Sequence, residues 1–184
     1  MIRNVTHPTA YAEDVIAGRI RVNNNVMMAA KRHMHDLTRK DIYFDEKELE
    51  RLNDFVADLE VADGHELTGE KIVMLPWQSF FLGSVMCWKF VETDGIRFKQ
   101  AFGEYARGAG KSTMMGVLLL YVSMYWEGSD NLVLANKMDQ ARQAFDAANK
   151  IANRAFGDWR AEDAEEAGGA EYETTMRETR CRRS

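Results

Sequence analysis

The residues with the clearest chemical potential lie between positions 106 and 113, which read Ala-Arg-Gly-Ala-Gly-Lys-Ser-Thr. Glycines at 108 and 110 let main-chain amides curve around an anion without clashes from β-carbons. The ammonium group of Lys111 would neutralise the β- and γ-phosphates of a nucleotide, and the hydroxyl of Ser112 would bind Mg²⁺, which prefers oxygen ligands. The run matches the second half of a phosphate-binding loop and predicts a site for ATP and Mg²⁺.

One residue departs from the pattern, and a simpler explanation exists for the rest. Tyr105 stands where the pattern expects its leading glycine. A flexible turn, followed by a helix with Ser112 near its cap, would produce the same residues without any ligand. The sequence on either side decides between the two interpretations, because a phosphate-binding loop lies between a strand and a helix.

The flanking residues favour the phosphate site. The aromatic-rich run 97–105 predicts a strand, and apolar residues at helical spacing predict a helix from Lys111 to Tyr125. The short apolar run 132–135 predicts a buried strand, and a further helix is expected over 139–155. This order is typical of an α/β fold in which helices cover a parallel sheet, as in the P-loop NTPases, and two or three strands make that sheet incomplete.

An N-terminal helical segment is expected to precede this unit. Apolar stripes predict helices over 26–37 and from Asp45 to a turn at 62–64, the second capped by the Asp45 carboxylate. The strongest stripe begins at Pro76 and includes Trp88, and the turn 92–95 follows it. We therefore divide the chain into an N-terminal helical segment (1–70), a partial P-loop ATPase domain (71–156) and a disordered or non-native tail (157–184).

Composition narrows the class of protein. The chain is 46% hydrophobic and 29% charged, with a net charge of -5, so bulk electrostatics do not favour nonspecific nucleic-acid binding. No apolar run is long enough to cross a bilayer, and the N-terminus does not look like a secretory signal, so a cytoplasmic protein without a membrane partner is expected. His33 and His35 would point to different sides of a helix, so we predict solvated side chains rather than a shared metal site.

Three stretches together resemble a known family. Pro76-Trp77-Gln78, the loop Ala-Arg-Gly-Ala-Gly-Lys-Ser-Thr, and the run Asp-Gln-Ala-Arg at 139–142 resemble the ATPase front of tailed-phage terminase large subunits, over roughly residues 10 to 156. The run Tyr-Ala-Glu-Asp-Val at 11–15 is similar to their N-terminal helices. The resemblance implies the motor that packages viral DNA into a capsid, in the cytoplasm of a bacterial host.

The resemblance assigns further residues. Terminases of this kind carry a loop in which an arginine takes part and the leading glycine is lost, so Arg107 would contact phosphate or stabilise charge on the γ-phosphoryl group. Gln78 would contact the adenine edge, because its amide offers both a donor and an acceptor. Arg107 and Lys111 would be the catalytic residues and Ser112 the metal ligand. The expected nucleotide-binding residues are Gln78, Arg107, Gly108, Ala109, Gly110, Lys111, Ser112 and Thr113.

The same resemblance sets expectations for partners and activity. Double-stranded DNA, a portal, a small terminase subunit and a homo-oligomeric ring are implied for the full-length context. An apolar strand ending in Asp-Glu, which would hold Mg²⁺ and orient water, is not found in the sequence, nor are the acidic residues of a nuclease domain. Either the chain is truncated, which we favour, or a separate chain supplies the rest of the motor, and in both cases we expect ATP binding without efficient hydrolysis. Two alternatives stay open: an unrelated P-loop nucleotide-binding protein, and a noncatalytic helical adaptor.

Overall fold

The computed structural model describes residues 7–61, 69–126 and 130–156, except for the side chains of 138–140. These residues form six α-helices and one two-stranded antiparallel sheet, which confirms the α/β class in its coarse form. A parallel sheet is not seen among them. In chain order the elements are α1 (Pro8–Ile16), α2 (Asn24–Asp36), β1 (Ile42–Phe44), α3 (Glu46–Asp58), α4 (Pro76–Met86), β2 (Trp88–Phe90), α5 (Lys111–Tyr125) and α6 (Met138–Phe156).

The chain divides into two compact units. The first consists of the described residues within Met1–Asp54 and Val73–Glu104, and the second of those within Phe55–Ile72 and Tyr105–Ser184. The helices α1, α2 and α4 and both strands belong to the first unit, whereas α5 and α6 belong to the second. The division falls within α3.

The core of the first unit lies among α1, α2 and α4. Its buried residues include Tyr11, Val15 and Ala30, which are at most 5% exposed. Side chains cap the N-termini of two of these helices. The His7 ring accepts a hydrogen bond from the Thr9 amide at 3.1 Å, and the Asn23 side chain accepts one from the Val26 amide at the start of α2. The predicted helix over 26–37 is thereby confirmed as α2, with an earlier start.

The small sheet of the first unit joins two segments that the sequence pattern did not identify as strands. Phe44 of β1 pairs with Trp88 of β2, and Ile42 pairs with Phe90. The assignment of Trp88 to the preceding helical stripe was wrong, because α4 ends at Met86 and the chain becomes extended two residues later. The predicted turn over 92–95 is present, closed by a 2.9 Å bond from the Phe90 amide to the Gly95 carbonyl.

The start of α3 agrees with the prediction from Asp45. Its carboxylate accepts hydrogen bonds from the amides of Lys47 and Glu48, at 3.0 and 3.1 Å, which satisfies two donors that a helix start leaves unpaired. The same carboxylate receives the Lys89 ammonium at 2.7 Å, so this cap also fixes β2 to the beginning of α3. The prediction that this helix extends to a turn at 62–64 was wrong, because α3 ends at Asp58 and residues 59–61 are not helical.

The second unit is built on α5 and α6. The predicted bounds of α5 are confirmed at both ends, and α6 differs from its predicted range by one residue at each end. Val117 and Tyr121 of α5 are fully buried, and Ile151 of α6 is 1% exposed. Gly116 lies in the contact between the helices, where a β-carbon would come within 3.0 Å of the Ala148 nitrogen. The glycine therefore allows the two backbones to approach closely.

Two predicted strands of the second half are not formed. Residues 97–105 have irregular backbone, and the only ladder contact beside them is the isolated bridge between Lys89 and Ile96. Residues 132–135 are also irregular, and Leu132 and Leu134 are 79% and 81% exposed rather than buried. Aromatic and branched residues favour an extended chain where a neighbouring strand pairs along it, and the pairing of 97–105 stops after one bond, from the Arg97 amide to the Trp88 carbonyl at 2.9 Å. Among the described helices, none is long and apolar enough to cross a membrane.

Candidate nucleotide-phosphate site

The glycine-rich loop makes a tight bend directly before α5. Gly108 has φ +81° and Gly110 has φ +74°, both in the left-handed region that side-chain-bearing residues rarely adopt. At Gly108 an added β-carbon would meet no atom within 4 Å, so the requirement for glycine there is conformational and not one of space. Gly108 and Gly110 therefore turn the backbone into the start of a helix, as the sequence pattern predicts.

The bend leads directly into the first turn of α5. Gly110 is the N-cap residue, and its carbonyl accepts the first helical hydrogen bond, from the Met114 amide at 3.0 Å. The amides of Lys111, Ser112 and Thr113 lie in the first turn, where no preceding helical carbonyl is available to them. Donors of this kind, together with the positive end of the helix dipole, are suited to an anion.

The charged and polar side chains of the loop face water. Arg107, Lys111 and Ser112 are exposed, and Thr113 is half-buried. Neither Arg107 nor Lys111 forms an ion pair with any residue in the described part of the chain. Ala109 is half-buried, and its amide is within 3.3 Å of the Ala106 carbonyl. Two cations that form no ion pair with the described residues therefore lie next in sequence to the amides of the helix start.

Tyr105 precedes the bend as a half-buried side chain. Burial raises the pKa of its phenol, so the group stays neutral over the physiological range. Tyr105 stands where the pattern expects a glycine, but its backbone is not left-handed. The left-handed conformations of the bend occur later, at Gly108 and Gly110. The bend in this chain thus depends on the second half of the motif.

Gln78 has a structural role of its own in the first unit. It is 7% exposed, and its side-chain oxygen accepts a hydrogen bond from the Leu75 amide at 2.8 Å, which caps the start of α4. Trp77 beside it packs against the core of α1 and α2. Gln78 belongs to the first unit and the glycine-rich loop to the second, and its assignment to adenine binding stays a prediction.

The described residues offer few side chains that could bind a metal ion. Among the described residues no group of three or more His, Cys, Asp or Glu side chains is placed to hold a metal ion. A magnesium ion delivered with a nucleotide needs fewer protein ligands, because phosphate oxygens and water complete its coordination. The exposed hydroxyl of Ser112, in the first turn of α5, has the ligand chemistry that such an ion would use.

Sequence reasoning missed the role of His33. The prediction of a solvated side chain was wrong: His33 is 2% exposed and lies among the rings of Phe44, Phe80 and Trp88, with centroid distances of 5.4 to 5.7 Å. The signal was the spacing, because position 33 lies three residues after the buried Ala30 and so shares its side of α2. The expectation that His33 and His35 share no metal is untouched by this burial.

Comparison of the chain with protein-family models, with curated proteins and with solved structures finds no match.

Proposed function

We propose that this chain is the ATP-binding part of a terminase large subunit, and that residues 107–113 hold the phosphates of Mg²⁺-ATP. One observation carries the nucleotide site: left-handed glycines at 108 and 110 lead directly into the N-terminus of a 15-residue helix whose first residue is the exposed Lys111. This combination supplies main-chain donors, a helix dipole and a mobile cation at one place.

Each group of the loop has a task in this proposal. The amides of the first turn of α5 donate to the phosphate oxygens, and the Lys111 ammonium adds a charge-assisted bond. Ser112 offers its hydroxyl to Mg²⁺. Arg107, on the other side of the bend, contacts the γ-phosphoryl group through its guanidinium fork, which suits the spread of negative charge there. Gln78 would contact adenine, as the family resemblance implies.

The first prediction concerns Lys111. Replacement with alanine removes one charge-assisted contact to phosphate, so we expect Mg²⁺-ATP affinity to fall by about ten- to a hundredfold. The measurement is a titration with a fluorescent ATP analogue in the presence of Mg²⁺. Lys150→Ala is the matched control, because Lys150 is an exposed lysine on α6 in the same unit, and its removal changes the net charge equally.

The outcomes separate the alternatives. Binding by the parent and by Lys150→Ala, with loss in Lys111→Ala, supports the nucleotide site. Equal binding by all three chains removes the claim that the loop is the site. No binding by the parent favours the noncatalytic helical adaptor, an alternative supported by the irregular backbone of both predicted strands in the second half.

A second prediction concerns turnover. The sequence has no apolar strand ending in Asp-Glu, so the chain lacks the carboxylate that orients attacking water. We expect ATP binding without appreciable phosphate release under multiple-turnover conditions. Steady phosphate release that Lys111→Ala abolishes would contradict this prediction, whereas release that persists in Lys111→Ala would indicate a contaminating ATPase.

The wider features of a packaging motor rest on the resemblance. They comprise a parallel P-loop sheet, a homo-oligomeric ring, double-stranded DNA as cargo, a portal and a small subunit as partners, and the cytoplasm of a bacterial host. The residues expected to form the strands of that sheet, 97–105 and 132–135, form no ladder in the structure. An unrelated P-loop nucleotide-binding protein would share the loop chemistry and none of these partners.

A further inference from the structure

His33 makes one contact from each of its ring nitrogens. Nε2 lies 3.0 Å from the Thr9 hydroxyl of α1, and Nδ1 lies 3.3 Å from the indole nitrogen of Trp88 in β2. The indole N–H can only donate, so Nδ1 must accept, and the neutral ring carries its proton on Nε2. The Nε2–H then donates to Thr9. These two bonds fix both the tautomer and the orientation of the ring.

We propose that His33 is an acid-sensitive latch in the first unit, whose neutral ring holds β2 and α1 against α2 and whose protonation on Nδ1 releases Trp88. A proton on Nδ1 would face the indole N–H, so two donors would oppose each other at the place of a hydrogen bond. The three aromatic rings around His33 offer no carbonyl or carboxylate to accept the new proton. Release of the indole is the direct relief of that conflict.

The charged groups around the His33 ring do not cancel the effect of burial on its pKa. Burial lowers the pKa of His33 to about 4, with a further lowering by His7, and Asp36 and Glu46 oppose that change. Glu46 is already bound to His7 at 2.9 Å, and Asp36 is bound to Arg97, so neither acid reaches the ring as a hydrogen-bond partner in the structure. Arg32, on the same helix as His33, lowers the pKa further.

The sign of the pH dependence follows from these values. The folded ring has a pKa of about 4 against an ordinary value of 6.5, so the neutral form is favoured on folding. This contribution is complete above pH 6.5 and is lost as pH falls through 6.5 towards 4. At pH 4 the ratio of open to closed forms should exceed its value at neutral pH by about a hundredfold from this residue alone.

The test follows the indole N–H of Trp88 by nuclear magnetic resonance of the full chain, its signal assigned with Trp88→Phe. As pH falls from 7 to 3.5, through the folded pKa of His33 of about 4, we expect the signal to shift towards that of a solvent-exposed indole. His33→Gln should remove this shift, because a glutamine oxygen can accept from the indole without titrating near neutral pH. His35→Gln is the control, since His35 has a side chain 73% exposed, and it should retain the shift.

Two results would overturn the latch. One is an indole signal that stays constant to pH 3.5 in the parent, and the other is a shift of equal size in His33→Gln. Should His33→Gln fail to fold, the ring nitrogens of His33 in the parent give an independent answer. At pH 7 they should show an unprotonated Nδ1 and a protonated Nε2, and a protonated Nδ1 at that pH would equally contradict the proposal.

Discussion

Replacing Gly116 with leucine should destabilise the second unit by about 3 kcal/mol, as expected for overpacking a tight core. A β-carbon at this position would lie 3.0 Å from the Ala148 nitrogen, 3.1 Å from the Ala147 carbonyl carbon and 3.2 Å from Ile151 Cδ1. Two of these atoms belong to the backbone of α6 and cannot rotate away. A leucine side chain would force the helices apart, and the buried contacts of α5 with α6 would be lost with the displacement.

The size of the added group should decide the outcome. Gly116→Ala adds only the β-carbon, and its gain in helix propensity of about 1 kcal/mol opposes the tight contacts. We therefore expect Gly116→Ala to lie within about 1 kcal/mol of the parent, well above the leucine variant. Asn153→Leu introduces the same side chain at an exposed position of α6 and should have little effect.

The measurement must report on the second unit. Amide hydrogen exchange of α5 and α6, combined with urea unfolding followed by circular dichroism, gives the free energy of opening of these helices. If Gly116→Leu is no less stable than Asn153→Leu, the close approach of α5 and α6 at this glycine is wrong. That result would also leave α5, the helix that follows the phosphate loop, without this packing against α6.

The helix α5 shows what a sequence pattern determines well. Its apolar residues repeat at helical spacing, and a glycine stands where the chain must turn, so both ends were predicted correctly. Trp88 shows the opposite case. It continues the helical spacing of α4, yet it pairs with Phe44 in the sheet. Pairing between segments so far apart in sequence leaves no periodic trace in a strand of three residues.

The candidate site was predicted unevenly for the same reason. The bend at Gly108 and Gly110 is a local property, because left-handed backbone selects glycine, and sequence alone identified it. Gln78 depends on tertiary placement, and the structure gives its side-chain oxygen a capping bond that the sequence analysis did not foresee. His33 was considered only as a possible metal ligand with His35 and was predicted to be solvated, although its spacing from Ala30 indicated a buried position. The sequence motif therefore predicted the loop, whereas the positions of Gln78 and His33 depend on tertiary packing.

Replacing Arg97 with methionine should cost the first unit about 3 to 5 kcal/mol, the range typical of removing one partner from a buried ion pair. Asp36 is 2% exposed, and Arg97 is its closest cationic partner. Arg39 and His35 approach the same carboxylate only at 3.7 Å, and both have side chains in contact with water. The methionine variant would therefore leave a buried carboxylate with weak compensation. Methionine retains much of the apolar length that Arg97 lays beside Trp88 and Phe98.

An exposed pair in the same unit provides the matched comparison. Arg19 and Asp14 are 2.6 Å apart but have side chains 61% and 39% exposed, so Arg19→Met should cost less than about 1 kcal/mol. The distance between the charges is short in both pairs, whereas the burial of their side chains differs. Urea unfolding of the two variants, together with amide hydrogen exchange in α2, measures the difference between their losses of stability. Equal losses in Arg97→Met and Arg19→Met would show that Asp36 is not a desolvated charge in solution.

A second variant separates the lost pair from the lost charge. If the instability of Arg97→Met arises from an unpaired carboxylate, then adding Asp36→Leu removes that carboxylate and should restore part of the stability. The double variant is therefore expected to be more stable than Arg97→Met alone, a reversal that lost packing at Arg97 could not produce. If the double variant is less stable than Arg97→Met, then Asp36 stabilises the end of α2 through contacts other than the ion pair, and the argument from burial is wrong.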